Sequence, residues 1–334
     1  MRLSIIIVNY KSASLILDCL NTLYASSKDQ PFEVLVVDNA SEDDSKERIM
    51  SAFPFVKWIE MGYNSGFARA NNEGIRRAMG DAVLLLNGDT LPQAAAITAC
   101  YQRLLSSSYV AAGVQLLNAD GTPQISGMYV MKGGLNYLLP LPYLGLLIKK
   151  LGEWIKVKKP HIPDADDTVE VDWINGAFLM VKKTAIQTAG LMDEDFFLYA
   201  EEAEWCSRLK KTGPLCIFGD LRIVHLQGET ANQTFGTEGK GYYDLFDRKG
   251  LQIMLSNFVR IRKQFGTGWF LLQLFCYLGE IPFFFLGMLL SRVTGRALPR
   301  YTWAQLGRYC RNIGVILVRS PTIIRNKPYF YKVL

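Results

Sequence analysis

Residues 34–41 read VLVVDNAS, an apolar run that ends in an acid, an asparagine and small polar residues. Four consecutive aliphatic side chains, mostly β-branched, are typical of a strand that is buried on both faces of a parallel sheet. The same order of apolar and polar residues occurs in SIIIVNYKS at residues 4–12. Both stretches therefore predict buried strands that carry polar side chains at their carboxyl ends.

The pattern continues through the first 120 residues, where apolar runs alternate with segments of helical spacing. Strands are predicted at residues 3–8, 34–37, 56–60, 82–86 and 110–117, and helices at residues 15–24, 45–53, 67–79 and 92–105. Strands that alternate with helices at this spacing predict a parallel α/β sheet covered on both faces. Ligands of such sheets bind beyond the carboxyl ends of the strands.

Polar residues follow the first four predicted strands, at Asn9–Tyr10, Asp38–Asn39, Asn64–Gly66 and Asn87–Asp89. At any single strand end, ordinary turn chemistry would account for Asn, Asp and Gly equally well. Because all four strand ends share this chemistry, the sequence favours a ligand site at this edge of the sheet.

Composition limits the classes to which this chain of 334 residues can belong. With 49% hydrophobic and 20% charged residues, it can form one large core or two modest domains, and it is too apolar to be disordered. Its six cysteines include no C-x-x-C pair, so they form no zinc or redox signature and favour a reducing compartment. The first apolar run, residues 3–8, is too short for a secretory signal.

The net charge of +6 hides an asymmetry along the chain. Residues 260–334 contain twelve Lys and Arg with a single acid, Glu280, and residues 132–159 contain six Lys with a single acid, Glu153. Two basic segments on an otherwise acidic protein predict contact with an anionic partner, either lipid headgroups or nucleic acid. Nucleic acid is disfavoured because the C-terminal arginines interleave with apolar sequence instead of lining a polar groove.

The longest apolar run covers residues 269–290 and is interrupted only by Glu280 and Pro282. It is long enough to span a bilayer, although an acid at the centre costs about 2.5–3.5 kcal/mol on insertion scales. A proline-broken hairpin within one leaflet and a buried helix of a soluble domain are the alternatives. The irregular, lysine-rich residues 124–170 are predicted to form an interfacial or acceptor-side segment, with a solvated surface loop as the alternative.

Three further patterns carry candidate chemistry. The triplet Asn87-Gly88-Asp89 follows a strand and offers oxygen ligands for Mg²⁺ or Mn²⁺, although such triplets are also common in turns. Glu201 and Glu202 open a predicted helix, and repulsion between them would raise one pKa toward that of a general base. Favourable interaction with the helix dipole is the ordinary alternative. His225 ends a strand where Asp89 could approach, which makes it a candidate third metal ligand.

Taken together, these stretches resemble the family 2 inverting glycosyltransferases of the GT-A fold, especially their bacterial rhamnosyltransferase-like branch. The matching stretches are SIIIVNYKS, VLVVDNASEDDS, NSGFARANNEG, LLLNGDT, NGAFLMVKKTAIQTAGLMDEDFFLYAEEAEWCSRLKKTG and HLQGET, in the order of the family. The resemblance implies an α/β GT-A fold, with a Rossmann-like mixed sheet, as a catalytic domain over residues 1–240. Residues 241–334 would form a helical, membrane-associated extension.

The resemblance also implies roles for individual residues. The nucleotide sugar would be bound at the nucleobase by Val8, Asn9, Tyr10 and Asp38, and at the ribose and phosphates by Asn64, Gly66 and Arg69. Asn87 and Gly88, in the triplet that matches the metal motif of the family, are further binding residues. Asp89 and His225 would bind Mg²⁺ or Mn²⁺, while Asn87 stands where the family has its first metal-motif acid. Glu202 occupies the position of the catalytic base, where the family usually has Asp, and Glu201 is the alternative base.

The implied activity is the transfer, with inversion, of a sugar from a nucleoside-diphosphate sugar to a lipid-linked glycan in cell-surface polysaccharide synthesis. The first expectation for the sugar is rhamnose from dTDP-rhamnose, and another hexose or a galactofuranose-type donor is the alternative. An inactive membrane-bound scaffold is a further alternative, because Asn87 and Glu202 replace the usual acids. A nicotinamide-dependent oxidoreductase is excluded, since NYKSAS after the first strand contains no glycine. The predicted location is the cytoplasmic face of the bacterial inner membrane, peripheral or single-span, and the sequence assigns no oligomeric state.

Overall fold

The chain divides into two compact units, one formed by Met1–Tyr129 with His161–Thr234 and the other by Val130–Pro160 with Phe235–Leu334. The structure is a computed structural model that describes residues 3–25, 32–130, 132–156, 161–162, 164–226, 245–294 and 301–333. The domain boundary expected at residue 240 lies outside the described residues and stays a prediction. The lysine-rich middle segment belongs to the same unit as the C-terminal helices, an association that the sequence analysis did not anticipate.

Regular elements within the described residues follow the predicted alternation. The strands are β1 (Leu3–Asn9), β2 (Phe32–Asp38), β3 (Lys57–Glu60), β4 (Ala82–Leu86), β5 (Thr90–Leu91), β6 (Ala111–Leu117), β7 (Gly127–Met128), β8 (His161–Ile162), β9 (Thr168–Val171), β10 (Trp173–Ile174), β11 (Phe178–Lys182) and β12 (Leu215–His225). The helices are α1 (Ala13–Leu23), α2 (Ser45–Ala52), α3 (Gly66–Arg77), α4 (Ala94–Ser106), α5 (Leu144–Trp154), α6 (Lys183–Ala189), α7 (Glu201–Leu209), α8 (Arg248–Phe265), α9 (Thr267–Thr294) and α10 (Trp303–Arg325), with a 3₁₀ segment at Lys132–Leu138.

The first unit is built on a mixed sheet with the strand order β3-β2-β1-β4-β11-β6-β12-β5. Strands β3, β2, β1 and β4 are parallel, whereas β11 is antiparallel to both of its neighbours, β4 and β6. The mixed α/β fold class is therefore confirmed. Strand β6 runs in the same direction as β4, as the parallel sheet expected from the first 120 residues requires, but the antiparallel β11, from much later in the chain, lies between the two strands and makes the sheet mixed.

Both faces of this sheet are covered. Along β1, Leu3, Ile5 and Ile7 belong to the core on one face and Ile6 belongs to the core on the other face. Helix α1 contributes to the first core and helix α3 to the second. Since side chains of both orientations are buried, the central strands read as mainly apolar runs, with Asn9 and Asp38 at the carboxyl ends of β1 and β2.

In the second unit, the apolar run of residues 269–290 lies within α9, a single helix that continues through Pro282. The chain therefore does not form the proline-broken hairpin that was one alternative. Among the described residues, one helix is long and apolar enough to cross a bilayer, Thr267–Arg292, with a mean hydropathy of 1.7. One face of α9 is buried within the unit, at Phe270, Tyr277 and Phe284, while the opposite face is exposed.

Glu280, the acid inside the apolar run, has a structural role. Its side chain is completely buried, and its carboxylate accepts hydrogen bonds from the backbone amides of Tyr143 at 2.7 Å and Leu144 at 2.9 Å. These amides lie at the start of α5, where the first helical N–H groups have no partner within the helix. Glu280 therefore caps α5, and its negative charge lies at the favourable end of the helix dipole.

Candidate active site

A polar cluster around Asp38 lies at the ends of β1 and β2. Asn9 is buried and directly opposite Asp38 in the strand register, and its half-buried neighbours are Val8 and Tyr10. The Asn9 Nδ2 donates to Asp38 Oδ1 at 2.7 Å and to Ser41 Oγ at 2.9 Å, and Ser41 Oγ donates to Asp38 Oδ1 at 2.5 Å. The Ser41 amide donates to the other carboxylate oxygen at 3.1 Å. The Asp38 carboxylate is thus held in one orientation at the strand ends.

A second cluster connects the end of β2 to the start of α3. Asn39 Nδ2 donates to Asn64 Oδ1 at 3.1 Å, and Asn39 Oδ1 accepts from the amide and hydroxyl of Ser65 at 2.8 and 2.7 Å. Gly66 has a φ of 77°, and a Cβ there would lie only 2.2 Å from the carbonyl oxygen of Phe197. The amide of the next residue donates to that carbonyl at 2.8 Å. Only glycine permits this close approach, which joins the loop to the segment preceding the acid pair.

Arg69 contacts the same segment. Its Nε donates to the carbonyl oxygen of Glu194 at 3.0 Å, and its Nη1 donates to the hydroxyl of Tyr63 at 3.3 Å. The Glu194 carboxylate is bound by Arg76 at 2.6 Å and by Asn72 at 3.0 Å. In this structure Arg69 therefore supports the chain before the acid pair, in addition to any contact with a ligand.

Asp89 and His225 lie side by side, as the sequence suggested. They are 7% and 3% exposed, and Asp89 Oδ1 is 3.3 Å from His225 Nε2. The pairing of β5 with β12 aligns them, since His225 is opposite Thr90 in the register. Just beyond these strands, the Leu226 amide donates a hydrogen bond to the Asp89 carbonyl at 2.8 Å. A carboxylate oxygen and an imidazole nitrogen at this separation are a suitable donor set for a divalent cation.

The triplet Asn87-Gly88-Asp89 forms a turn between β4 and β5, so Asn87 and Asp89 are not successive positions on one face of a strand. The Thr90 amide and hydroxyl both donate to the Asn87 carbonyl, at 3.2 and 2.7 Å, which closes the turn. A Cβ at Gly88 would lie 2.7 Å from Cγ1 of Ile16, so there is little room for a side chain. Tight packing below the turn therefore supports the position of Asp89.

The acid pair begins α7 after an unusual backbone. Tyr199 and Ala200, the two residues before the pair, have positive φ values of 72° and 66°. Consecutive non-glycine residues in this region are strained, and such strain is concentrated at functional sites. Glu201 is 2% exposed, and its Oε2 has no hydrogen-bond partner among the described residues. Glu202 is only partly buried.

Burial raises the pKa values of both acids. For Glu202 it raises the pKa to about 7, which is suitable for a general base near neutral pH. For Glu201, burial and the neighbouring Glu202 carboxylate raise the pKa well above its usual range, which favours the protonated form. Glu204, the third acid, pairs with Arg208 at 2.7 Å, and Arg208 also donates to the carbonyl of Leu191. Glu204 is therefore occupied by a structural ion pair.

Short contacts connect these clusters within the first unit. The Asn87 amide donates to the carbonyl of Ala177 at 3.0 Å. The adjacent Gly176 lies against Glu202, because a Cβ there would be 3.5 Å from the Glu202 Cγ. The turn at Asn87-Gly88-Asp89 and the acid pair are thus separated by two residues, Gly176 and Ala177, and the loop at Gly66 contacts the segment before the pair.

The sequence analysis gave no role to some polar residues of the site, and some residues that it singled out lie outside the described part of the chain. Asn39 and Ser41 were visible in the stretch VLVVDNAS but were given no role, and Gln124, which contacts His225, gave no signal at all. The conspicuous residues outside the described part of the chain are Lys158, Lys159, Gln227, Gly228, Glu229, Thr230, Arg296 and Arg300.

Comparisons with known proteins concern the family and the fold of the chain. Residues 4–149 match the model of the family described as Glycosyl transferase family 2. The chain is similar to the low-salt glycan biosynthesis hexosyltransferase Agl10 of Haloferax volcanii, with 28% identity over 74% of each chain. It is also similar to the dTDP-rhamnosyl transferase RfbF of Shigella flexneri, with 24% identity over 65% of this chain and 67% of the relative.

One further relative and one solved structure are also similar to this chain. The N-acetylglucosaminyl-diphospho-decaprenol L-rhamnosyltransferase of Mycobacterium tuberculosis is 25% identical over 57% of this chain and 64% of its own length. The solved mannosyltransferase PcManGT from Pyrobaculum calidifontis, in complex with GDP-Man and Mn²⁺, has a TM-score of 0.51 and 15% identity. It covers 98% of this chain and 81% of its own, and at this identity the likeness concerns the fold.

Proposed function

Because this chain carries a family 2 glycosyltransferase domain, we propose that it is an inverting, metal-dependent enzyme that uses a nucleoside-diphosphate sugar as donor. The proposal rests mainly on the partly buried Glu202, whose pKa is raised to about 7 beside the turn that carries Asp89. A base of this kind is what an inverting transfer needs. The same observation argues against an inactive scaffold.

The proposed donor site is the edge formed by the first two polar clusters. The Asp38 carboxylate, oriented by Asn9 and Ser41, accepts hydrogen bonds from the nucleobase, while the loop at Asn64 and Gly66 holds the ribose and phosphates. The RfbF and Mycobacterium tuberculosis relatives support rhamnose, with dTDP-rhamnose as the expected donor. Agl10 is named a hexosyltransferase, which keeps another hexose or a galactofuranose-type donor as the alternative.

The proposed metal ligands are Asp89 and His225. Within the described residues, no group of three or more His, Cys, Asp or Glu side chains could hold a metal ion by itself. Two protein ligands nevertheless fit Mg²⁺, because this ion commonly binds through one or two carboxylates together with substrate phosphates. When bound, Mg²⁺ or Mn²⁺ would neutralise the negative charge that develops on the diphosphate leaving group.

Glu202 is the proposed catalytic base. Its carboxylate removes the proton from an acceptor hydroxyl, and the resulting oxygen attacks the anomeric carbon on the face opposite the diphosphate, so that the configuration inverts. Glu201 is less suited to this role, because its side chain is buried whereas that of Glu202 is partly exposed. The carboxyl group of Glu201 instead fills the interior beside the base.

A thermal-shift panel would test the proposed donor and metal together. We expect a nucleoside-diphosphate sugar to raise the melting temperature of the protein, and Mn²⁺ or Mg²⁺ to increase that shift, since ligands that bind only the folded state stabilise it. The largest shift is expected with dTDP-rhamnose. A panel in which no nucleotide sugar stabilises the protein, with or without metal, would contradict the proposal.

Replacing Asp38 with Asn is expected to weaken donor binding about tenfold or more, because a hydrogen bond to a charged acceptor contributes about 1.5–3 kcal/mol. Asn retains the size of Asp38, so the fold should persist. Isothermal titration with the nucleoside diphosphate measures the effect. Asp120→Asn, at an exposed turn where the carboxylate contacts only Thr122, is the control and should bind normally. Equal affinities for both variants would remove Asp38 from the donor site.

The proposed acceptor is a lipid-linked glycan, and the second unit is the proposed membrane contact. The Mycobacterium tuberculosis relative is named for a decaprenol-linked acceptor. Large exposed apolar side chains of the second unit lie mainly on α5 and α9: Leu147, Leu151, Trp154, Leu271, Leu272, Phe275, Phe283, Phe285, Leu286, Leu289 and Leu290. Lys149 and Lys150 are also exposed on α5, which favours an anionic lipid surface.

We favour an in-plane contact with one leaflet over a spanning α9. Helix α10 packs along α9, since Tyr309 donates to the Tyr277 carbonyl at 2.9 Å and the Arg292 guanidinium lies over the Trp303 ring. Tyr277 is only about 4 Å along the axis from the centre of the apolar window. Spanning would therefore carry the exposed Arg308 and Arg311, which flank Tyr309, close to the bilayer centre. Each would cost about 2.5–3.5 kcal/mol there.

The catalytic domain is accordingly proposed to be residues 1–240 and the membrane-associated region residues 241–334, with Val130–Pro160 added to the latter because of its packing. The proposed location is peripheral, at the cytoplasmic face of a bacterial inner membrane.

Replacing Phe275 with Asp is expected to reduce binding to anionic vesicles by about tenfold or more, because burying a Phe side chain contributes about 1.5–3 kcal/mol. Phe275 is 73% exposed, so the melting temperature should change little. Flotation with phosphatidylglycerol vesicles measures binding, and Met79→Asp, 66% exposed in the first unit, is the matched control. Alkaline carbonate should release the native protein from membranes. Retention after carbonate treatment would instead indicate a spanning helix.

A further inference from the structure

Gln124 contacts His225, one of the two residues of the proposed metal site. It follows β6, and its backbone N–H donates to the Leu116 carbonyl at 2.8 Å. The side chain is 7% exposed and reaches the end of β12, where it contacts both the ring and the backbone of His225. A buried primary amide must satisfy both of its polar ends, so its orientation has consequences for its neighbours.

The orientation of this amide is determined by three acceptors. Gln124 Nε2 donates to the His225 carbonyl at 2.6 Å, to Asn118 Oδ1 at 2.8 Å and to the Leu117 carbonyl at 3.3 Å. Asn118 is itself oriented, because its Nδ2 donates to the Thr122 hydroxyl at 2.9 Å. Exchanging the nitrogen and oxygen of Gln124 would place an oxygen against all three acceptors. The atom that faces the histidine ring is therefore Oε1.

This orientation selects the tautomer of His225. Gln124 Oε1 lies 2.9 Å from His225 Nδ1, and since an amide oxygen only accepts, Nδ1 must carry the proton. The lone pair of the neutral ring is then on Nε2, the nitrogen that is 3.3 Å from Asp89 Oδ1. Without Gln124, the Asp89 carboxylate would attract the ring proton to Nε2, and this nitrogen could no longer bind a cation.

We propose that Gln124 is a positioning residue, which holds His225 as the Nδ1–H tautomer so that Nε2 and Asp89 can bind a divalent cation together. The contact to the His225 backbone also ties the ring orientation to the end of β12. Partners of this kind commonly change metal affinity by about 10–100-fold when they are removed. The metal part rests on the proposed function, whereas the tautomer can be tested without any metal.

The first test is nitrogen NMR of the metal-free protein, which reports which ring nitrogen of a histidine carries the proton. The chain has two histidines, and a His161→Gln variant assigns the ring signals to His225. The proposal expects a protonated Nδ1 and an unprotonated Nε2 in the native protein, and a shift of the proton to Nε2 in Gln124→Leu. A native ring that is protonated at Nε2 would overturn the proposal.

The second test measures Mn²⁺ binding through the loss of the free-ion electron paramagnetic resonance signal. Gln124→Leu is expected to weaken Mn²⁺ binding about 10–100-fold. Gln124→Glu keeps an acceptor for Nδ1 and should retain the native tautomer and most of the affinity, although it loses the three donated hydrogen bonds and some stability.

Gln115→Leu is the matched control. Gln115 is a completely buried glutamine whose Nε2 donates to the Gln124 carbonyl at 2.9 Å and whose Oε1 accepts from the Ala165 amide, without touching His225. We expect it to lower the melting temperature yet leave the tautomer and the Mn²⁺ affinity unchanged. If both leucine variants weakened Mn²⁺ binding equally, Gln124 would have only a structural role. If the native tautomer were as expected but Mn²⁺ did not bind, the proposed metal site would fail and the role of Gln124 in the tautomer would stand.

Discussion

Replacing Glu202 with Gln is expected to reduce the rate of sugar transfer by about 10²–10⁴-fold, the usual contribution of a general base. Gln has the shape of Glu but cannot accept the proton of the acceptor hydroxyl. Because the donor-binding clusters at Asp38 and Asn64 do not involve this side chain, nucleotide affinity should not change. Transfer assays with saturating donor, together with isothermal titration of the nucleoside diphosphate, separate the two effects. Normal turnover by this variant would exclude Glu202 as the base.

Glu201→Gln is the matched control for this substitution. The pKa of Glu201 is raised well above its usual range by burial and by the Glu202 carboxylate, which favours the uncharged form. Gln has the shape of that uncharged form, and the variant should keep most of the transfer activity. If the Glu201 variant were inactive and the Glu202 variant active, the two roles would have to be exchanged.

The same pKa shift predicts how the native protein responds to pH. Burial raises the pKa of Glu202 from 4.5 to about 7, and a base must be unprotonated to act, so transfer should fall as the pH decreases below about 7. Stability should change in the opposite direction. The folded protein binds this proton more tightly than the unfolded chain, and the associated stability is present below pH 4.5 and lost as the pH rises through about 7. In thermal unfolding, the Glu202→Gln variant should show less of this decline.

The sequence predicted the first half of the sheet well, because periodicity and burial agree there. The predicted strands and helices of the first 117 residues match the observed bounds to within two residues. Strands β1, β2, β4 and β6 are largely buried on both faces, and such strands are read directly as apolar runs, whereas β3 has Lys57 and Glu60 exposed. The antiparallel insertion of β11 was not visible, because pairing between distant strands depends on the whole sheet and not on local pattern.

Candidate site residues were predictable where a strand end carried a chemically conspicuous side chain, and not where the residue type is ordinary. Asp89 and His225 could be paired because both follow strands and both are chemically conspicuous. Gln124, which lies 101 positions from His225 in the chain, has an ordinary residue type in an irregular segment and could be found only from the structure. Glu280, in contrast, was easy to notice in the sequence, because its charge interrupts the apolar run. Its role as a cap for α5 could be found only from the structure, which shows how the two helices pack.

Asp89→Asn is expected to abolish the stabilisation of the protein by Mn²⁺ and to reduce transfer at least about a hundredfold. Electrostatic stabilisation of a leaving group by a bound cation contributes several kcal/mol, and each 1.36 kcal/mol corresponds to a factor of ten in rate. The neutral amide oxygen of Asn is a much weaker ligand than a carboxylate, and the remaining candidate, His225, cannot hold the ion alone.

The fold of this variant should persist, which makes the result interpretable. The Asp89 carbonyl still accepts from the Leu226 amide, and the new side-chain amide can donate to His225 Nε2, which is 3.3 Å from the present carboxylate oxygen. Asp38→Asn serves as the reciprocal control, since it should retain the Mn²⁺ shift and lose nucleotide affinity. If Asp89→Asn kept a normal Mn²⁺ shift and normal transfer, the cation would bind elsewhere, and the burial of Asp89 against His225 would be a structural feature of the β5–β12 pairing.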